Sequence, residues 1–175
     1  GDIGCGAISI IAKKSTDNGA SWSSSTTVAE GSNSASGFYK AHGDAAVVCD
    51  REDPNKMLVM CASGEKSYGS STVSVTRTWN IWRYTYDLDL SSAIRVGKYT
   101  STDGGATWSD DDVTEQIYGI WDEASSSTYP NKVPVTKLFF SSGRICQSAI
   151  IKTDKYYRLY AALCSDVGVG SLVVY

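Results

Sequence analysis

The chain alternates between short apolar stretches and polar turns. The apolar stretches are rich in β-branched and aromatic residues, and Ser, Gly, Asp and Asn bound them. They read A-I-S-I-I-A, A-A-V-V-C, M-L-V-M-C, I-R-V-G-K-Y, K-L-F-F, A-I-I-K, Y-R-L-Y-A-A-L and L-V-V-Y. Such runs are typical of β-strands. No longer window keeps a helical period with capping residues at its ends. The pattern therefore predicts an all-β chain.

One eight-residue pattern occurs twice. Residues 15–22 read S-T-D-N-G-A-S-W, and residues 101–108 read S-T-D-G-G-A-T-W. Both fit S-x-D-x-G-x-x-W, and each follows a strand-like run, at 7–14 and at 94–100. Internal similarity of this kind is a signature of repeat architectures. We refer to residues 15–22 as box 1 and to residues 101–108 as box 2.

The residue types of the two boxes suit tight hairpin turns. An Asp side chain accepts hydrogen bonds from nearby backbone N–H groups, and Gly readily adopts positive φ. The Trp three residues after the Gly can fold under the turn as an apolar plug. We therefore expect Asp17 and Asp103 to accept backbone hydrogen bonds, with Trp22 and Trp108 packed beneath the turns.

Composition excludes several kinds of function. The 175 residues carry a net charge of −3, and the isoelectric point is near 5.1. Because no basic patch is present, nucleic acid is not an expected partner. No apolar run approaches the length of a membrane span. No His, Cys and Asp cluster has the spacing of metal ligands, so the sequence predicts neither a metal nor a cofactor.

The cysteines and the single histidine favour structural roles. The five cysteines are scattered, and none forms C-x-x-C. Four of them lie in apolar strand-like runs: Cys49, Cys61, Cys146 and Cys164. This placement predicts that they are buried and act as small hydrophobic side chains. His42 is the only histidine and there is no G-x-S-x-G motif, so a Ser-His-Asp hydrolase is not expected unless His42 serves in it.

The two boxes make the chain resemble the Asp-box (BNR-repeat) proteins, whose best-known members are the sialidases. This resemblance implies a six-bladed β-propeller, of which residues 1–175 would supply two to three blades as part of a single domain. It also implies an exo-α-sialidase that is secreted, periplasmic or at the cell surface and removes terminal sialic acid from glycoconjugates. Two alternatives stay open: a non-catalytic Asp-box propeller that binds glycans or peptides, and another Asp-box glycosidase.

The resemblance extends to two aspartates. Asp2 lies 13 residues before Ser15 in G-D-I-G, where the sialidases carry an Asp that acts as general acid/base. A glycosidase needs such an acid to protonate the leaving oxygen. Asp44 precedes the run A-A-V-V-C, like the sialidase Asp that opens an inner strand and contacts the sugar. Both positions also have structural readings, as a solvated terminal Asp and as a strand-end hydrogen-bonding group.

Three further residues are candidates for substrate binding. The run S-S-G-R-I-C-Q-S at 141–148 resembles a segment of secreted bacterial sialidases, and it makes Gln147 a candidate near the active-site centre. The two boxes are further apart than one blade needs, and the surplus falls between Cys61 and Ile94, a stretch that is rich in aromatic residues. Aromatic side chains on a long loop of a β scaffold suit a sugar-binding face. Trp79 and Trp82 are the candidates there, although packing on the outer edge of a blade explains them equally well.

The remaining sialidase machinery is expected outside these residues. In the family, three arginines hold the sialic-acid carboxylate, and a Tyr activated by a Glu is the nucleophile. None of the arginines here matches those motifs. We therefore expect the chain to require the remainder of the propeller as its partner, and not to cleave sialosides when it is expressed alone.

Overall fold

The structure is a computed structural model, and it describes residues 3–4, 6–80, 83–118, 137–140, 143–165 and 168–174. These residues contain thirteen strands, a 3-10 turn at Gly37–Tyr39 and a short helical turn at 114–118. The strands are β1 (Ile10–Ala12), β2 (Thr26–Ala29), β3 (His42–Cys49), β4 (Met57–Ser63), β5 (Ser74–Asn80), β6 (Arg83–Asp89), β7 (Arg95–Ser101), β8 (Ser109–Asp112), β9 (Leu138–Phe140), β10 (Gly143–Arg144), β11 (Cys146–Thr153), β12 (Tyr156–Ser165) and β13 (Gly168–Val174).

A five-stranded sheet with the order β10-β3-β4-β7-β8 occupies the middle of the fold. Strands β3, β4, β7 and β8 form an antiparallel meander. Strand β10 adds to its edge in parallel with β3. We refer to this assembly as the central sheet.

Two further sheets pack on the faces of the central sheet, and a separate hairpin is inserted into it. Strands β1 and β2 form an antiparallel pair on one side. On the other side, β12 pairs with β11, β9 and β13, all antiparallel. The hairpin β5–β6 pairs only with itself among the described strands, and it interrupts the meander between β4 and β7.

Strand β4 explains why the middle of the fold is apolar on both faces. Met60 belongs to the core cluster shared with β9, β10–β11 and β12. Its neighbours Val59 and Cys61 point the other way, into the cluster shared with β2 and Phe38. Side chains alternate between faces along a strand. A strand covered on both faces reads as a continuous apolar run, as M-L-V-M-C does.

The structure differs from the sequence-based expectations for the aromatic-rich stretch and for two of the cysteines. The aromatic-rich stretch predicted as a long loop contains the β5–β6 hairpin. Cys61 is fully buried as predicted, but Cys49 and Cys146 are exposed. Their apolar neighbours Val48 and Ile145 enter the core instead. The prediction for these two cysteines was wrong because alternate residues of a strand face opposite sides.

The chain is thus predominantly β, as the pattern of apolar runs predicts. The described strands lie in separate sheets that do not close into a ring. The six-bladed propeller therefore remains a proposal. The four-stranded meander, with a sheet packed on each face, is the part of the fold that is relevant to the propeller proposal.

Candidate functional site

The two boxes form the same turn, which connects β1 to β2 and β7 to β8. In box 1, Asp17 Oδ1 accepts hydrogen bonds from the Ser21 N–H at 2.9 Å and from the Ser15 hydroxyl at 2.7 Å. In box 2, Asp103 Oδ1 accepts from the Thr107 N–H at 2.9 Å and from the Ser101 hydroxyl at 2.8 Å. Asp17 Oδ2 accepts from the Ser21 hydroxyl, and Asp103 Oδ2 accepts from the Thr107 hydroxyl. The predicted turn chemistry is confirmed in both boxes.

These hydrogen bonds stabilise the ionised form of each Asp. Donation by the Ser21 hydroxyl and N–H lowers the pKa of Asp17 to about 2. Donation by the Thr107 hydroxyl and N–H does the same for Asp103, whose pKa is also about 2. A carboxylate held in this way is a structural acceptor rather than an acid for catalysis.

The tryptophans of the two boxes are packed to different extents. Trp108 is partly buried against the second core cluster, and its Nε1 donates to the Gly105 carbonyl at 3.1 Å. Trp22 lies under its turn near Gly19 but is 61% exposed. The prediction that it is a packed plug was therefore wrong.

Both boxes lie at one end of the central sheet, which we call the box rim. The Gly104 N–H of box 2 donates to the Asn55 carbonyl in the β3–β4 turn at 2.9 Å. The Thr26 hydroxyl, just after box 1, donates to the Gly105 carbonyl at 3.1 Å. Strand β3 ends next to this rim, whereas Asp44 lies near its first residue. At about 3.3 Å per residue, the six steps from Asp44 to Asp50 span roughly 20 Å.

The backbone at Asp44 departs from regular strand geometry. The β3–β4 register shifts between Gly43 and Ala46, which marks a bulge or irregularity. Asp44 has φ of +52°, in the left-handed region. Asp is one of the few residue types that tolerate this conformation. Bulges and strained residues occur often at binding sites, where they turn a side chain toward a ligand.

Asp44 borders a cavity of about 460 Å³. Ile3, Ala62 and Ile94 supply its apolar wall, and they belong to one buried cluster. Ser67 and Tyr68 supply further polar groups. A partly buried carboxylate and a few polar groups over an apolar wall are the usual composition of a small-ligand site.

Two loops meet at this cavity. A Cβ atom added to Gly4 would lie 2.8 Å from the Ser67 backbone nitrogen, so the chain at residues 3–4 packs tightly on the loop after β4. Asp2 itself lies outside the described residues. The residue that follows it, Ile3, is 4% exposed and lines the cavity with Asp44.

The β5–β6 hairpin starts from the same end of the sheet as Asp44. Ser63 at the end of β4 pairs with both His42 and Arg95. The inserted segment therefore leaves and rejoins the sheet where β3 begins. Trp79 on β5 is 60% exposed. Trp82 lies outside the described residues.

The structure does not bring Gln147 to the Asp44 cavity. Because β10 runs parallel to β3, the residues that follow it approach the end of β3 at the box rim. The Gln147 side chain accepts from the Arg51 N–H at 2.8 Å and donates to Asp50 Oδ2 at 3.0 Å. This amide joins the strand edge of β11 to the β3–β4 turn.

His42 forms a buried cluster with Ser63 and Tyr99, and His42 and Tyr99 lie at the base of a cavity of about 460 Å³. The His42 Nδ1 lies 2.9 Å from the Ser63 hydroxyl and 3.1 Å from the Tyr99 hydroxyl. Burial lowers the pKa of His42, so the ring is neutral at pH 7. Ser63 is 0% exposed. Because the Ser63 hydroxyl is fully buried, we assign this Ser–His pair to the core.

The described residues contain no group of three or more His, Cys, Asp and Glu side chains placed to hold a metal ion. None of the helices in this part of the chain is both long enough and apolar enough to cross a bilayer. Comparison with family models and with curated protein sequences finds no match for the chain.

Proposed function

We propose that this chain is part of a sialidase-like β-propeller that removes terminal sialic acid from glycoconjugates. The observation that carries the proposal is the position of Asp44. It lies at a strained position of β3, beside a cavity, at the end of the sheet opposite two box turns of the same geometry. The resemblance to sialidases implies this division between a sugar-binding face and a rim of Asp boxes.

The cavity suits recognition of one sugar ring. Its volume of about 460 Å³ falls within the range of small-molecule sites. An ionised Asp44 accepts hydrogen bonds from sugar hydroxyl or amide groups, and charge makes such bonds stronger than neutral ones. The apolar wall of Ile3, Ala62 and Ile94 faces the C–H surface of a sugar ring in this assignment.

Asp2 is the proposed general acid/base. It would protonate the glycosidic oxygen as the leaving group departs and then activate water for the second step. Ile3, the next residue, already lines the cavity. The three arginines, the Tyr nucleophile and its Glu belong to the remainder of the proposed propeller, so we propose the activity for the complete domain. A secreted, periplasmic or cell-surface location follows from the same proposal.

The experiment is hydrolysis of two α-sialosides by the complete propeller domain, one with an activated aryl leaving group and one with a sugar leaving group. We expect Asp2→Asn to reduce kcat for the sugar leaving group by about 10²-fold or more, because general acid catalysis contributes ~10²–10⁴-fold. The aryl substrate needs less protonation, so its loss should be much smaller. Equal losses on both substrates would contradict the acid role.

Asp154→Asn is the matched control for substitutions of aspartate. Asp154 has φ of +55° in the β11–β12 turn, close to the value at Asp44. Asn tolerates the same backbone, so the control removes a carboxylate without straining the chain. We expect no change in either sialoside assay. Hydrolysis of other glycosides with no action on sialosides would instead indicate another Asp-box glycosidase.

The exposed Trp79 favours a second candidate, a propeller that binds glycans without cleaving them. An exposed aromatic ring on the β5–β6 hairpin offers a flat apolar surface for sugar stacking. Calorimetric titration of the complete proposed propeller domain with sialyl-lactose separates the two functions. Binding that Trp79→Ala weakens, with no product after prolonged incubation, would support the binding module and overturn the sialidase.

A further inference from the structure

Two exposed cysteines lie on the same face of two neighbouring strands. In β3, Val47 and Cys49 are exposed, while Ala46 and Val48 contact the core. Along β10–β11, Arg144 and Cys146 are exposed, while Ile145 is 2% exposed. Alternation along each strand therefore places both thiols on the side that faces away from the core cluster of Ala46 and Ile145.

The strand pairing brings these cysteines to the same part of the surface. Gly143 pairs with Ala46 and Arg144 pairs with Val47, in parallel. The Ile145 N–H donates to the Val47 carbonyl at 3.3 Å, and this bond belongs to the Arg144–Val47 pair. Cys146 and Cys49 each follow two residues after that pair, and both line one surface cavity of about 890 Å³.

Contacts beyond the cysteines hold the two strands together. The Gln147 side chain accepts from the Arg51 N–H at 2.8 Å, and the Arg51 guanidinium donates to the Gln147 carbonyl at 3.4 Å. The cysteines are thus bracketed by hydrogen bonds on both sides. Neighbouring strands lie about 4.7–4.9 Å apart, and disulfides form at Cα separations of about 4.4–6.8 Å.

Cys61 provides a contrast within the same sheet. It is 0% exposed, and burial raises the pKa of its thiol to about 11. The thiolate is the reactive form of cysteine, so Cys61 is unreactive at neutral pH. Cys49 and Cys146 are both free and exposed.

We propose that Cys49 and Cys146 are a redox-active thiol pair that closes to a disulfide under mild oxidation by a peroxide. One thiolate attacks a peroxide oxygen, which gives a sulfenic acid and releases the other oxygen as water. The second thiolate then attacks the sulfenic sulfur, the S–S bond forms, and a second water leaves. The two thiols lose two electrons and two protons, and hydrogen peroxide is reduced to two molecules of water.

The disulfide would connect two sheets of the fold. Strand β3 belongs to the central sheet, and β11 belongs to the sheet of β12. The bond would close a loop of about 100 residues, and cross-links across long loops restrict the unfolded chain most. We expect the thermal unfolding midpoint to rise by ~5–15 °C on oxidation and to return on reduction. This inference does not depend on the sialidase proposal.

The test is peptide mapping of the full chain after treatment with hydrogen peroxide. Trypsin places each cysteine in a separate peptide, with Cys49 in 41–51 and Cys146 in 145–152. We expect these two peptides to be linked and lighter by two hydrogen atoms than their sum. The link should be absent from Cys49→Ser and Cys146→Ser and present in the control Cys164→Ser.

Two results would overturn the proposal. One is oxidation of Cys49 and Cys146 to separate sulfinic or sulfonic acids, or their linkage to other cysteines. The other is survival of both thiols in peroxide that oxidises glutathione in the same solution. Because both side chains are exposed, the serine variants should fold. Circular dichroism of each variant verifies this before oxidation.

Discussion

Substitution of Gly97 by Ala tests the packing between the central sheet and the β1–β2 side. Gly97 lies in β7, and an added Cβ would be 2.7 Å from the Ser63 hydroxyl oxygen, 2.9 Å from Tyr99 Cε2 and 3.1 Å from Cys61 Sγ. All three groups are buried, so they have little freedom to move. Overpacking of this kind costs about 1–3 kcal/mol.

The direction of the stability change on Gly97→Ala distinguishes overpacking from the entropic effect of replacing a glycine. Gly inside a strand is less favourable than Ala by about 0.5–1 kcal/mol, so an open site would be stabilised by Gly97→Ala. We expect destabilisation instead, with a fall in thermal midpoint of about 2–12 °C for a chain of this size. Denaturant unfolding gives the change in free energy.

A control and a partial reversal complete this test. Gly69→Ala adds a Cβ that meets nothing within 4 Å, so it should change stability little. Adding Ser63→Ala to Gly97→Ala removes the closest contact and should recover part of the loss, because neighbouring substitutions couple by about 0.5–3 kcal/mol. Equal or greater stability of the Gly97→Ala chain would refute the packing described for β4 and β7.

Three further predictions concern the boxes and Gln147. The pKa values of Asp17 and Asp103 are lowered to about 2 in the folded chain. The two carboxylates therefore stabilise the folded chain fully above the pKa of an unfolded Asp, near 4, and this stabilisation is lost as the pH falls toward 2. Urea midpoints between pH 5 and 2 should therefore fall less steeply in the Asp17→Asn, Asp103→Asn double variant. Trp108→Ala should cost about 2–4 kcal/mol and Trp22→Ala under about 1 kcal/mol, because only Trp108 is packed and hydrogen-bonded; equal losses in urea unfolding would contradict this. Gln147→Ala should cost about 1–3 kcal/mol without altering sialoside affinity, since its amide joins two backbone segments at the box rim; a weaker affinity would place Gln147 at the ligand after all.

The parts of the fold that depend on local chemistry were predictable from the sequence. Each box contains its own hydrogen-bond donors and acceptors within a few residues, so S-x-D-x-G-x-x-W was sufficient to predict both turns. The all-β class followed from short β-branched runs. Burial of Cys61 was predictable because it lies in a continuous apolar run that is covered on both faces.

Features that depend on sheet partners were not predictable. The exposure of Cys49 depends on which face of β3 the other strands cover, and the apolar run around it does not contain that information. The position of Gln147 depends on the parallel pairing of β10 with β3, which joins residues almost 100 positions apart. Trp22 and Trp108 share a motif, yet only Trp108 packs on the cluster that contains Val59 and Tyr99, and that contact joins distant segments of the chain.

Of the candidate site, the location of Asp44 was predictable because a strand end was recognisable. Asp44 precedes an apolar run, which places it near the beginning of a strand at one edge of the sheet. Its positive φ and the bulge beside it carry no clear sequence signal, because Gly43 is the only indication of unusual backbone. The cavity depends on residues 3–4 packing against the loop after β4, a contact between distant segments.

The most direct test of the central claim is the affinity of the complete domain, the proposed propeller, for sialic acid before and after Asp44→Asn. The substitution keeps the backbone preference and the shape of the side chain but removes the charge. Since hydrogen bonds to charged groups contribute about 1.5–3 kcal/mol, we predict an affinity weaker by ~10-fold or more, with Asp154→Asn unchanged. Equal affinity in the wild type and both variants would show that Asp44 does not face the sugar and would contradict the proposed site.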